Sequence, residues 1–109
     1  MIKKHVQDPW FTYIKKGEKI VEGRLNKGSF TEMKVNDIVL WINDNKSVKT
    51  KIISIHHHKS FENMLKSHSL KNTLPGIKTI KDGVNVYREF YSKKDEQKYG
   101  VLGIKLKLL

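Results

Sequence analysis

The last eleven residues, YGVLGIKLKLL, carry apolar side chains at every second position, and no other segment limits the possible fold as strongly. A period of two places alternate side chains on opposite faces of a β-strand. The even positions form an apolar face, whereas Lys105 and Lys107 point the other way. The pattern predicts a closing strand with that face on the core. The apolar positions are Leu102, Ile104, Leu106 and Leu108.

Three further segments have strand character. DIVLWI is an apolar run typical of a buried strand, and the turn sequence NDNKS separates it from VKTKIISIHHH, which predicts a hairpin. KIVEGRL is rich in branched residues, and its period of two places Glu22 and Arg24 on one face, with Lys19 at the strand entrance. NKGSFTEMKVND is predicted to be a loop or a single turn.

Short helices are predicted between these strands. Asp8 would cap a helix in DPWFTYIKKG, with Gly17 just past its end, and Ser60 would cap FENMLKSHSL. LPG at 74–76 ends any helix, and Thr79 with Asp82 resembles a capping box that opens another. The segment SKKDEQK is read only as charged and polar. These elements do not alternate as regular βαβ units, so we expect an α+β fold: a small mixed barrel or curled sheet with helices packed on its outside.

Length and composition restrict the class of protein. We expect the 109 residues to form one domain, 1–109, and the absence of Cys excludes disulfides, thiolate zinc sites and a cysteine nucleophile. No apolar run resembles a signal peptide or a membrane span, so we expect an intracellular protein of the cytoplasm or nucleus, with no membrane partner. The net charge of +11 is spread along the chain, which suits a nucleic-acid partner or, alternatively, general solubility.

The stretch GEKIVEGR places Lys19, Glu22 and Arg24 within six residues of an otherwise apolar strand. Burying an unpaired ion costs several kcal/mol. The cluster is therefore either a polar cleft for a nucleotide or base, in which Arg24 could bind phosphate or a base edge, or an exposed Glu–Arg pair on an edge strand.

Aromatic residues and histidines provide further candidates. Trp41 and Tyr91 could stack on bases, as could Tyr87 and Tyr99, although Trp41 and Tyr87 also fit a core. The run His56–His58 places only two of its histidines on one face of a strand and has no Cys or well-spaced carboxylate to complete a metal site. We expect an exposed strand end there, no metal and no cofactor.

These motifs, in this order, resemble the ASCH (activating signal cointegrator homology) family. The resemblance covers nearly the whole chain, and it implies a PUA-like, mainly antiparallel β-barrel related to RNA-binding modules. Two positions depart from the family pattern: Ile20 stands where many members have Thr, and Asn36 replaces a turn Gly, a change that Asn tolerates well. The matching segments are Gly17, Lys19, Glu22 and Arg24 as G-x-K-x-x-E-x-R, then VNDIV, SFENML, LPG, Tyr87 with Tyr91, and YGVLGIKL.

The resemblance implies three possible functions. The first is binding of RNA, single-stranded nucleic acid or a nucleoside in a cleft formed by Lys19, Glu22 and Arg24, with Tyr91 and Trp41 as stacking faces. The second is hydrolysis of a modified nucleoside such as acetylcytidine, or of RNA, with Lys19 and Glu22 as catalytic residues. The Thr expected in that hydrolase motif is replaced by Glu22. The third is a protein-interaction adaptor.

Overall fold

A computed structural model describes all 109 residues. Its five-stranded sheet has the order β1-β3-β4-β5-β2, in which β1 runs parallel to β3 and every other pair is antiparallel. The predicted hairpin is confirmed, since Asp44 and Asn45 alone separate β3 from β4. The strands are β1 (Ile2–His5), β2 (Val21–Leu25), β3 (Ile38–Asn43), β4 (Lys46–His58) and β5 (Val101–Leu108).

Five helices and one 3-10 turn, Gly28–Glu32, connect the strands. Two of the three predicted caps are confirmed, because Ser60 Oγ accepts from Asn63 N–H at 3.0 Å and Thr79 Oγ1 accepts from Asp82 N–H at 3.1 Å. No helix combines the length and apolar character that crossing a membrane requires. The helices are α1 (Trp10–Lys15), α2 (Phe61–His68), α3 (Leu70–Thr73), α4 (Ile80–Arg88) and α5 (Lys93–Tyr99).

Local backbone conformation agrees with two predictions and corrects one. Gly17 follows α1 at φ +76°, and Asn36 adopts φ +78°, the left-handed conformation that Asn tolerates. Helix α1 begins at Trp10 with Pro9 as its cap residue, so Asp8 is not the N-cap. Asp8 still contributes at this helix end, because its carboxylate accepts from Thr12 N–H at 3.1 Å.

Apolar side chains form two cores, one on each face of the sheet. On the inner side, α1 packs against β3 and β4; on the outer side, α2 packs against β2 and β5, and α4 packs against α2. The inner core consists of Val6, Phe11, Ile14, Met33, Val39, Trp41, Val48, Ile52, Leu102, Ile104 and Leu106. The outer core consists of Val21, Leu25, Phe61, Met64, Leu65, Leu74, Tyr87 and Val101.

The sheet curls until its two edge strands approach each other. A side chain bridges them, since Arg24 Nη2 on β2 donates to the carbonyl oxygen of His5 on β1 at 2.7 Å. The predicted α+β class, with a curled and mainly antiparallel sheet, is confirmed. The alternation of β5 also agrees with the sequence, except that Leu108 is 43% exposed at the strand end.

Candidate functional site

The loop before β2 buries a lysine at the end of a short helix. Lys19 is 2% exposed, and its ammonium donates to Val21 O at 2.8 Å and to Thr73 O, the last residue of α3, at 2.5 Å. The third contact is the carboxylate of Glu22 at 3.1 Å. An ammonium has three N–H donors, so all of them have protein acceptors. Burial lowers the pKa of Lys19.

Glu22 lies between two cations. One carboxylate oxygen contacts Lys19, and the other accepts from Arg24 Nε at 3.0 Å and lies 2.9 Å from Arg24 Nη2. Burial alone would raise the pKa of Glu22, but the charges of Lys19 and Arg24 outweigh burial and lower it. Arg24 donates through Nε and Nη2, and 18% of its side chain is exposed where the residue lines the cleft.

A cleft with a volume of about 150 Å³ opens beside this ion network, between the end of β1, β2 and α4. Tyr87 is one of the lining residues, and its hydroxyl is the one buried side-chain polar atom of the protein that has no hydrogen-bond partner. Burial raises the pKa of Tyr87 well above its ordinary value, so the hydroxyl is protonated at neutral pH. The lining consists of His5, Val6, Gln7, Trp10, Lys19, Glu22, Gly23, Arg24, Leu74, Val86, Tyr87, Phe90 and Tyr91.

Aromatic rings form much of the cleft wall. The Phe61 ring stacks against Tyr87 with centroids 4.2 Å apart and against Tyr91 at 5.4 Å, which fixes both tyrosines from α2. Phe90 precedes Tyr91 and is 47% exposed, so its face is accessible from solvent. Gly23 leaves room for this arrangement, because a Cβ there would lie 2.9 Å from the Tyr87 hydroxyl.

The structure brings together four of the five residues selected from the sequence. Lys19, Glu22, Arg24 and Tyr91 all line the cleft, although Lys19 has no donor left for a ligand. The prediction that Trp41 offers a stacking face is wrong. Trp41 is fully buried in the core, and its indole N–H donates to Thr50 Oγ1 at 2.9 Å.

Several lining residues were not selected from the sequence. Phe90 is the clearest: it lies in the turn after α4, and the available signal was a large apolar residue outside the helical spacing of Ile80, Val84, Tyr87 and Tyr91. Trp10 and His5 reach the cleft only because the sheet curls, which no local pattern reports. Tyr99 lies outside the cleft, where the ammonium of Lys27 is 5.0 Å from its ring centroid.

Two of the three histidines of β4 contact a histidine of α2. His58 Nε2 lies 2.9 Å from His68 Nε2, and the ring of His56 has its centroid 5.1 Å from that of His68. Gly103 allows this contact, because a Cβ there would lie 2.7 Å from His68 Nε2. No group of three or more His, Asp or Glu side chains is arranged to hold a metal ion.

Comparison with known proteins defines the class of this fold. The family model for the ASCH domain matches residues 5–109, so the chain belongs to the ASCH family. A comparison with curated proteins gave no match.

Two solved structures have the same fold. The crystal structure of hypothetical protein PH0355 is 36% identical, with a TM-score of 0.92 over 98% of this chain and 97% of that one. The solution NMR structure of protein PF0455 from Pyrococcus furiosus is 33% identical, with a TM-score of 0.83 over 99% of this chain and 96% of that one.

Proposed function

We propose that this ASCH domain binds RNA or another single-stranded nucleic acid by holding one base in the cleft beside Arg24. One observation carries the proposal: the same cavity is lined by the guanidinium of Arg24, by the aromatic rings of Phe90 and Tyr91, and by Tyr87. The hydroxyl of Tyr87 has no hydrogen-bond partner within the protein. Buried polar groups are almost always hydrogen-bonded, so a polar ligand group is the natural partner for that hydroxyl. ASCH domains are generally linked to RNA binding, which agrees with this proposal.

The chemistry of the lining fits a base better than a larger ligand. A cavity of about 150 Å³ is large enough for a single aromatic ring. Arg24 can donate to acceptors on a base edge or to a phosphate through Nη1, while Phe90 and Tyr91 offer faces for stacking. The net charge of +11 would add affinity for the phosphates without sequence preference.

The geometry favours the hydrolase alternative less. A general base needs a free lone pair within reach of its substrate, and Lys19 donates all three N–H groups to protein acceptors. Glu22 is held ionised between two cations, which lowers its pKa and weakens it as a proton acceptor. No specific contact favours the adaptor alternative.

Phe90→Ala tests the cleft directly. Stacking on an aromatic side chain is worth about 1 to 3 kcal/mol per base, so we expect this variant to bind a short single-stranded RNA about 5- to 150-fold more weakly. Tyr99→Ala, which removes an aromatic ring outside the cleft, is the matched control and should bind like the wild type.

The same samples separate binding from catalysis. Amide shifts at Glu22, Arg24 and Tyr91 that saturate with nucleoside monophosphates, without a new product on chromatography, would support the proposal. Equal weakening by Phe90→Ala and Tyr99→Ala would contradict it, and turnover of acetylcytidine would replace it with the hydrolase.

A further inference from the structure

The outer side of the sheet carries a basic surface away from the cleft. Along β4 the inward residues Val48, Thr50 and Ile52 are buried, so the alternating Lys49 and Lys51 point outward. We define the lysine face by the outward lysines of three strands. These are Lys3 on β1, Lys49 and Lys51 on β4, and Lys105 and Lys107 on β5.

Strand register places these lysines close together. Lys51 pairs directly with Lys107, and Ser54 pairs with Lys105. With Lys49, four of the five lysines therefore lie on the adjacent strands β4 and β5. Lys3 pairs with Leu40, which in turn pairs with Lys49, so the face continues across β3 to the edge strand.

No ion pair within the protein involves the lysine face. Strands β1, β3, β4 and β5 contain no Asp or Glu, and none of the five lysines forms an ion pair. Like charges directly opposite each other in a sheet destabilise it, so the Lys51–Lys107 pair is unfavourable in the free protein. The helices of the outer core cover β2 and the start of β5, which leaves the lysine face open.

We propose that the lysine face binds the phosphate backbone of the nucleic acid whose base occupies the cleft. This inference rests on the proposed function and adds the path that the bound nucleic acid takes across the protein. His5 connects the two surfaces: it lines the cleft, and it lies two residues after Lys3 on the same side of β1. A bound single-stranded nucleic acid would then leave the cleft over β1 and cross the outer side of the sheet. There its phosphates would neutralise Lys51 and Lys107, which lie opposite each other.

Salt dependence tests the inference with matched variants. The face variant Lys49→Gln/Lys51→Gln/Lys107→Gln removes three outward charges, and the control Lys71→Gln/Lys78→Gln/Lys81→Gln removes three exposed charges from the helical side. For single strands, log K falls with log salt by about 0.7 per neutralised phosphate, so three lost contacts should reduce the slope by about 2. The control variant should show nearly the same slope of log K against log salt as the wild type with the same RNA.

The outcomes separate this inference from the proposed function. Equal slopes of log K against log salt for the face variant and its control would overturn the role of the lysine face. The same conclusion would follow if the wild type bound nucleoside monophosphates in the cleft but bound no RNA at low salt. If Phe90→Ala binds RNA normally while the face variant loses slope, the lysine face stands and the base-binding cleft fails. The expected result is a weaker affinity for Phe90→Ala with an unchanged slope.

Discussion

A buried lysine is tolerated here because each of its donors is satisfied. Lys19 contacts two backbone carbonyls and Glu22, and Glu22 is shared with Arg24, so neither buried ion lacks a partner. One of these carbonyls belongs to Thr73 at the C-terminal end of α3, a position where a positive charge is favourable. Lys19 therefore acts as the support that fixes Glu22, and through it the guanidinium of Arg24.

Lys19→Met should destabilise the fold strongly. Removing one member of a buried ion network leaves the others uncompensated, so we expect a loss of about 3 kcal/mol or more in the free energy of unfolding, measured with urea. The control is Lys66→Met, because Lys66 pairs with Glu62 on the surface of α2 and exposed pairs are worth about 0 to 1 kcal/mol. A loss below about 1 kcal/mol for Lys19→Met would contradict the supporting role.

Residue-level patterns predicted part of this cleft. The period of two correctly placed Glu22 and Arg24 together on one face, because strand alternation is a local property. The burial of Lys19 could not be read in the same way, since it depends on Thr73, which is 54 residues away in the chain. Phe90 was missed because solvent exposure of an apolar residue depends on which neighbouring elements leave it uncovered.

At the scale of elements, strong local signals were reliable and weak ones were not. The hairpin and the caps at Ser60 and Thr79 each follow from a short motif, and all three were predicted. Strand β1 was missed because IKKH has little strand character alone and is held by parallel pairing with β3. Helix α5 was missed because its buried anchor is polar: Glu96 accepts from Phe61 N–H at 2.7 Å.

The contact of α2 with the sheet should depend on pH through His58 and His68. Burial lowers the pKa of both, and the neighbouring charges of His56, His57 and Lys105 lower it further. The neutral imidazoles are favoured in the folded state, so their contribution to stability is complete above the unfolded pKa, about 6.5, and is lost as the pH falls below it.

Thermal unfolding of matched variants measures this effect. We expect the unfolding midpoint of the wild type to fall between pH 7.5 and pH 5.0, and His68→Gln to reduce that fall by removing one of the paired groups. His5→Gln changes an exposed histidine on β1, far from α2, and should show the wild-type fall. The same fall in all three proteins would exclude the histidine pair as its cause.

For the whole molecule, one sheet supports two cores while leaving its edges unpaired. Strands β4 and β5 lie inside the sheet, where β4 contributes to the inner core and β5 contributes to both cores, whereas β1 has a single neighbour, β3. Local unfolding should therefore begin at β1 and reach the central strands last. The hydrogen bond from Arg24 to His5 O links the two edges, so the residue that faces the cleft also holds the sheet in its curled form.

Arg24→Lys should loosen the β1 edge without affecting the centre of the sheet. A lysine ammonium cannot reproduce the guanidinium fork that holds both Glu22 and His5 O, and a hydrogen bond from a charged donor is worth about 1.5 to 3 kcal/mol. We expect amide exchange at Val6, which donates to Ile42 O, to accelerate about 10- to 150-fold. Exchange at Ile52 should change little.

Arg88→Lys provides the control for the same exchange measurement. Arg88 Nη2 contacts Glu96 at 2.9 Å and so links α4 to α5 rather than the two edges of the sheet. This variant should accelerate exchange in α5 and leave Val6 unchanged. If Arg88→Lys and Arg24→Lys accelerated Val6 equally, the effect would reflect a general loss of stability, and the closure of the sheet by Arg24 would be refuted.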